Sequence, residues 1–226
     1  MSEMYAWIDR ADISGKEILF NTNAASNHHW WSRFLSKLDE LSNDNRIIIR
    51  VSMDAVGDRF EWIRTGLSWG AFERNMRELG ALASAKNLLV RVSPTVSCLT
   101  LEGVLETASW TKEFSGSVDN GPRIVQYDAF SMVSDPIQQR PDPWLGYFKT
   151  DMQEIMEVMA DANINQDAVM QIRGLMRLAD TVIPTVENAN GVVRAMDSLE
   201  KQWNKSPWSA AFPRLHRAVA ATLSLG

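Results

Sequence analysis

Three short runs dominate the pattern of apolar and polar positions: "EILFNTN" (17–23), "RIIIRVSMD" (46–54) and "NLLVRVSPTVS" (87–97). Each is rich in β-branched and aliphatic residues and bounded by turn formers, so each reads as a buried strand. Between the first two, Trp31, Phe34, Leu35, Leu38 and Leu41 recur at helical spacing. Between the second and third, Phe72, Met76, Leu79 and Leu82 do the same. Both segments predict amphipathic helices. Strand, helix, strand, helix, strand implies right-handed crossovers and a parallel sheet covered by helices. A further helix is expected in "LEGVLETASW" (101–110), and "PRIVQYDAF" (122–130) reads as a fourth strand.

The character changes at "SDPIQQRPDPW", where three prolines in eleven residues exclude a regular strand or helix. Beyond it the spacing is helical throughout. Phe148, Met152, Ile155, Met156 and Met159 make one stripe, Val169, Ile172, Met176 and Ala179 a second, and Val192, Met196, Leu199 and Trp203 a third. The expected organisation is an α/β unit over 1–134, a proline-rich connector over 135–144 and a helical extension over 145–226.

Composition narrows the function classes. With 226 residues and 45% hydrophobic content, the chain has the material for a substantial core. Its formal charge of -5 is made of interspersed charges, with no basic stripe for nucleic acid or an anionic membrane. No apolar run approaches the ~20 residues needed to span a bilayer. The opening "MSEMYAWIDR" lacks the order of a secretory signal, so a cytoplasmic location is expected. Cys98 is the single cysteine, which excludes an internal disulfide and a cysteine-rich metal or cluster site built from these residues alone. Nine tryptophans and eleven methionines suit core filling, with an aromatic-lined pocket as the alternative. His28 and His29 are adjacent on an expected helix and do not share a face, which argues against a common metal.

Candidate chemistry sits at the carboxyl ends of the strands, where parallel α/β sheets bind ligands. The first run ends in Asn21, Thr22 and Asn23, the second in Ser52 and Asp54, the third in Ser93, Thr95 and Ser97, and the fourth in Gln126 and Asp128. Alternation along a strand puts Asn21 with Asn23, Ser52 with Asp54, and Ser93 with Thr95 and Ser97. The same residue types cap helices and close turns. A shared polar ligand and local capping therefore both remain open from the residues alone. Arg64 is either a ligand contact or a helix-surface partner of Glu61.

The order "NTN", "VSMDAVGDRFEWIRTGLSW" and "SPTVS" resembles the second part of a radical SAM barrel, most closely that of twitch domain-containing radical SAM proteins. In that family a Thr-Asn strand end precedes a Ser-x-Asp strand end, a Gly-x-x-x-Glu-Tyr-x-Arg segment, a Trp-led helix and a Thr-Val-Ser strand. The tail "MDSLEKQWNKSPWSAAFPRLHRAV" resembles the family's closing segment, a helix leading to Phe-Pro-x-Leu. The resemblance is strongest through about residue 110 and weakest in the middle of the chain. It implies a partial (β/α) radical SAM-type barrel of parallel strands followed by a mostly helical extension. It also implies that Asn21, Thr22, Asn23, Ser52, Asp54, Arg64, Thr95 and Ser97 lie around S-adenosylmethionine. Ser52 and Asp54 would face the ribose hydroxyls and Arg64 the methionyl carboxylate, in keeping with their hydrogen-bonding capacities.

Two family features are missing from this sequence: the C-x3-C-x2-C loop that holds a [4Fe-4S] cluster, and the Gly-Gly-Glu-Pro segment that takes the cofactor's amino group. The sequence starts at what resembles the helix before the family's third strand. Cleavage of S-adenosylmethionine is therefore not expected from this chain alone, and a cluster would have to come from a missing amino-terminal half. A split enzyme with a separate half-barrel polypeptide, a truncated gene product, and a cluster-free binding or scaffold module all stay open. So does the substrate, a peptide-like one among them. An open strand edge beside residues 17–23 predicts a partner chain or self-association. A hydrolase built on Asp54 or Asp128 has no nucleophile and base to support it.

Overall fold

The computed structural model describes residues 13–86, 88–117, 125–127, 131–132, 142–160 and 166–225. Four strands, β1 (Glu17–Thr22), β2 (Arg46–Ser52), β3 (Leu88–Ser93) and β5 (Val125–Tyr127), form one sheet in the order β1-β2-β3-β5. Every pairing is parallel, with Leu19 opposite Ile48, Ile48 opposite Leu89, and Val90 opposite Val125. The sheet is open: among the described residues β1 and β5 do not pair with each other. The short pieces β4 (Thr95–Val96) and β6 (Ser131–Met132) pair separately, also in parallel.

Each parallel step is bridged by a helix where the sequence spacing predicts one. Helix α1 (His28–Leu41) joins β1 to β2; the short α2 (Gly57–Ile63) and α3 (Trp69–Ala85) join β2 to β3; α4 (Val104–Ser117) precedes β5. Local signals start these helices. The Asn27 carboxamide accepts the Trp30 N–H at 3.1 Å, and Ser68 with Glu61 takes the N–H groups of Ala71 and Trp69, satisfying donors that a helix start leaves free. Glu61 is thus engaged at the start of α3.

The two sheet faces differ. Ile47, Ile49, Val51, Val90 and Val92 are fully buried and pack with Trp31, Phe34 and Leu38 of α1, Phe72, Met76 and Leu79 of α3 and Phe114 of α4. The opposite positions of β3, Leu89, Arg91 and Ser93, are only half-buried, giving strict alternation along that strand. On β1 the pattern is weaker, and Leu19 stays 48% exposed as an edge residue. β2 is buried without interruption from Ile47 to Ile49 and alternates only beyond it, at Arg50, Val51 and Ser52.

A second core lies in the helical region. A 3-10 turn (Asp142–Phe148) leads into α5 (Lys149–Ala160), α6 (Gln166–Ala179), α7 (Val186–Trp203), α8 (Trp208–Ala211) and α9 (Pro213–Leu223). Phe148, Met152, Ile155, Ile172, Leu175, Val192, Met196 and Leu215 pack together there. Val96, Leu101, Val104 and Ala108, from the segment after β3, belong to that same core, as does Trp62 of α2. Phe60, two residues earlier, belongs to the first core. The two cores therefore meet along α2 and α4.

Several expected features differ in detail. The run 87–97 is not one strand, because Pro94 offers no N–H to the ladder and the chain leaves the sheet after Ser93. Thr95 and Ser97 consequently do not extend the face on which Ser93 lies. Trp203, placed on an apolar stripe by its spacing, is half exposed at the end of α7, where the chain turns through Asn204 in the left-handed region (φ 47°). Asp128 and most of the connector, residues 135–141, lie outside the described residues; Trp144 and Leu145, at the connector's end, are buried. The side chains of Met159 and Val169 likewise lie outside them.

Candidate functional site

The chain beyond β2 carries Met53 and Asp54 across the end of β3. Asp54 is buried (7% exposed), and both carboxylate oxygens are engaged. Oδ1 accepts the Thr95 N–H at 2.8 Å and Oδ2 accepts from the Arg64 guanidinium at 2.6 Å. This brings Asp54, Arg64 and Thr95 of the expected set into one cluster at the ends of β2 and β3. Arg64 terminates α2, its backbone N–H bonded to Phe60 and its side chain turned back to Asp54. The expected alternative, a surface pair with Glu61, is not formed: Glu61 caps α3 instead. Arg64 Nε is buried with no hydrogen-bond partner among the described residues, so the guanidinium keeps an unused donor within the cluster.

Ser52 stands beside Ser93 in the register, half-buried, at the same end of the sheet. Gly103 closes the other side. A Cβ there would lie 3.2 Å from Ala55 Cβ and 3.7 Å from the Asp54 carbonyl, so glycine permits the close approach.

Asn21, Thr22 and Asn23 do different work. Thr22 Oγ1 accepts the Ala24 N–H at 3.0 Å and Asn23 Oδ1 accepts the Ala25 N–H at 3.2 Å, both local turn bonds. Asn21 and Asn23 are exposed. Ala24, fully buried with φ 50°, is held in its unusual backbone state from outside: the Asn75 amide donates to the Ala24 and Ser26 carbonyls at 2.9 Å each. Asn75 carried no signal in the sequence beyond a polar residue at an apolar helix position.

Ser97 is buried, and its N–H donates to Thr100 Oγ1 at 2.7 Å, while that hydroxyl donates to the Thr95 carbonyl at 2.7 Å. Thr100 thereby closes the turn that carries Thr95 and Ser97. Beside it, Cys98 is almost completely buried, and loss of hydration pushes its thiol up to about 12. It is a neutral hydrophobe at ordinary pH, not a thiolate ligand.

A polar cluster that the sequence does not announce binds the tail. Glu102, buried at 4% exposure, accepts the N–H groups of Arg214 and Leu215 at 3.0 Å, just after Pro213 at the start of α9. Arg59 reaches it at 3.6 Å and also donates to Glu106 and to the Ala211 carbonyl. Arg214 makes a two-armed pair with Asp151 at 2.5 and 2.7 Å. Phe212, fully buried, meets the Trp62 ring edge-on at 5.0 Å. The "FPRL" ending is therefore a docking element: its aromatic fills the second core, its proline starts a helix and its arginine pairs across to α5.

Among the described residues no group of three or more His, Cys, Asp or Glu is arranged to hold a metal ion, and no helix is long and apolar enough to cross a membrane. A small recess lined by Val96, Leu101, Phe148, Met152 and Ile172 is apolar except for Asp151, which Arg214 already engages. What the strand ends offer chemically is a carboxylate with spare lone pairs, a guanidinium with a spare donor and two serine hydroxyls. Comparisons with protein-family models, with curated proteins and with solved structures find no match for the chain.

Proposed function

We propose that this chain is the carboxyl-terminal portion of a twitch-type radical SAM enzyme, an arc of a (β/α) barrel whose strand ends take part of S-adenosylmethionine. In this reading a separate cytoplasmic polypeptide supplies the cluster and continues the sheet along the β1 edge. The observation that carries the proposal is the strand order. Parallel strands paired in simple chain order, with α1, α3 and α4 packed on one face of the sheet, fit an arc of a barrel. A doubly wound sheet instead reverses its order at a switch point.

The donor set fits S-adenosylmethionine in part. An ionised carboxylate offers about four lone-pair sites, and Asp54 uses two, which leaves acceptors for vicinal hydroxyls. Arg64 retains its Nε donor for a carboxylate, and Ser52 lies alongside. When bound, the cofactor supplies the radical chemistry; Asp54, Arg64 and Ser52 orient it. The [4Fe-4S] cluster does not fit these residues, since the one thiol is buried and protonated.

One observation favours a second reading, a cluster-free binding or scaffold module: Asp54 and Arg64 already satisfy each other. Calorimetry separates the two. The leading reading expects S-adenosylmethionine to bind at about 0.1–1 mM, since a few hydrogen bonds of about 1 kcal/mol each must compete with the existing ion pair. Arg64→Gln, which leaves the Thr95 contact to Asp54 intact, removes that binding. Anaerobic mixing with a polypeptide bearing the three-cysteine loop yields 5′-deoxyadenosine, and Arg64→Gln suppresses it. No cofactor binding and no product from a cluster-loaded mixture would leave the module reading standing.

A further inference from the structure

The outer edge of β1 is open. Among the described residues no strand pairs beyond it, and every position from Glu17 to Thr22 keeps some exposure. Leu19, on the face away from the helices, is 48% exposed. Ile18 and Phe20 lie on the helix-covered face, as register partners of the fully buried Ile47 and Ile49, yet both are only half-buried. Exposed edges are commonly blunted by a proline, a bulge or an inward-pointing charge. Between Ile18 and Thr22 this strand has no proline and no charged residue, and its register with β2 is unbroken.

Two copies joined at this edge by a two-fold axis run antiparallel, with their helix-covered faces on the same side of the sheet. Residues directly opposite across a ladder share a face, so odd positions must meet odd ones and even positions even ones. Registers centred on Ile18, Leu19 or Phe20 satisfy this. Centring on Ile18 sets Glu17 against Leu19 of the second copy, and centring on Phe20 sets Leu19 against Asn21, so each matches an apolar side chain with a polar one. Centring on Leu19 sets Leu19 on Leu19, Ile18 on Phe20 and Glu17 on Asn21. Apolar then meets apolar on both faces, and a carboxylate meets an amide donor. Lys16 falls opposite Thr22, so no like charges oppose each other.

We propose that β1 is a self-pairing edge: two copies of this chain associate through antiparallel β1 strands with Leu19 on the two-fold axis. The main-chain N–H and C=O groups that β1 turns away from β2 find partners there, and the sheets of the two copies become one. The self-complementary order of the side chains is what selects a second copy as the occupant. In the split-enzyme reading the cluster-bearing polypeptide displaces that copy, since both use the same edge. The pairing depends on β1 alone and holds whichever reading of the strand ends is correct.

Sedimentation equilibrium of the full chain tests the pairing. An edge of this length is smaller than a standard interface, so a reversible dimer with a dissociation constant of about 10–100 µM is expected. Leu19→Lys sets two ammonium groups at the axis and weakens the dimer at least about tenfold. Disulfide formation reads the register. Directly opposite residues of an antiparallel pair have Cα atoms about 4.5–5.5 Å apart, within reach of a disulfide, whereas the two copies of residue 21 would be offset by about 13 Å along the strands. Mild oxidation should therefore link Leu19→Cys into a covalent dimer and leave Asn21→Cys unlinked; Cys98 is buried and does not compete. Should Leu19→Lys fail to fold, the two cysteine variants carry the comparison. A chain still monomeric at about 1 mM, a dimer as tight in Leu19→Lys as in the parent, or equal linking of both cysteine variants would overturn the proposal. S-adenosylmethionine enters none of these measurements, so their failure is distinct from failure of the cofactor reading.

Discussion

Replacing Glu102 should destabilise the protein more than any exposed charge nearby. In Glu102→Ala the N–H groups of Arg214 and Leu215 lose their acceptor, and Pro213 before them has no N–H to rearrange. Both donors are at a helix start, where a carboxylate also meets the positive end of the helix dipole. Breaking a buried, hydrogen-bonded carboxylate site of this kind costs about 3–5 kcal/mol. Glu102→Gln keeps the shape and one acceptor oxygen and should lose about half as much. Arg59 is a minor part of the effect, since it retains the Glu106 carboxylate and the Ala211 carbonyl. Glu106→Ala is the internal reference: that side chain is 48% exposed, and its pair with Arg59 is worth about 1 kcal/mol at most. Urea unfolding followed by tryptophan fluorescence gives the comparison. With a slope near 3 kcal/mol per M, the Glu102→Ala midpoint falls by about 1 M or more. A loss no larger than that of Glu106→Ala would show that the tail is not held by Glu102, and the reasoning would fail.

Asn75→Ala should cost about 2–4 kcal/mol by urea unfolding, because the fully buried Ala24 carbonyl and the carbonyl of half-buried Ser26 both lose their donor. Asn75→Asp should cost more at neutral pH, since a carboxylate would face those carbonyls; an equal or smaller loss would refute the assigned orientation of the amide. Cys98, its thiol raised to about 12 from an ordinary 9.0, should react with a thiol reagent at about pH 8 only as fast as the protein opens. Between those two values the unfolded chain releases a proton that the folded one keeps. Stability therefore falls as pH rises above about 9, with this thiol contributing a slope approaching 1.4 kcal/mol per pH unit. Cys98→Ala should remove that share of the slope in unfolding curves taken at about pH 9 to 10.5, and an unchanged slope would count against the burial.

The elements with strong periodicity were readable from the chain itself. β2 and β3 follow from their β-branched runs, and α1 and α3 from apolar stripes whose members Trp31, Phe34, Phe72 and Met76 are buried where the spacing puts them. Parallel pairing followed from the alternation of strands with helices. These are local facts, set by side-chain period and by which residues tolerate which backbone. The partners of the polar residues were not local. Arg64 has Glu61 three residues away, yet it turns to Asp54, because the chain beyond β2 brings a buried carboxylate there and a lone buried charge would be costly. Glu102 and Arg214 are 112 residues apart, and only packing of the second core against α2 and α4 places the α9 donors on that carboxylate. Arg50 and Arg91 read as ordinary polar positions within their own strands. The register of β2 on β3 sets them side by side, and register is fixed by which face of the sheet the helices bury.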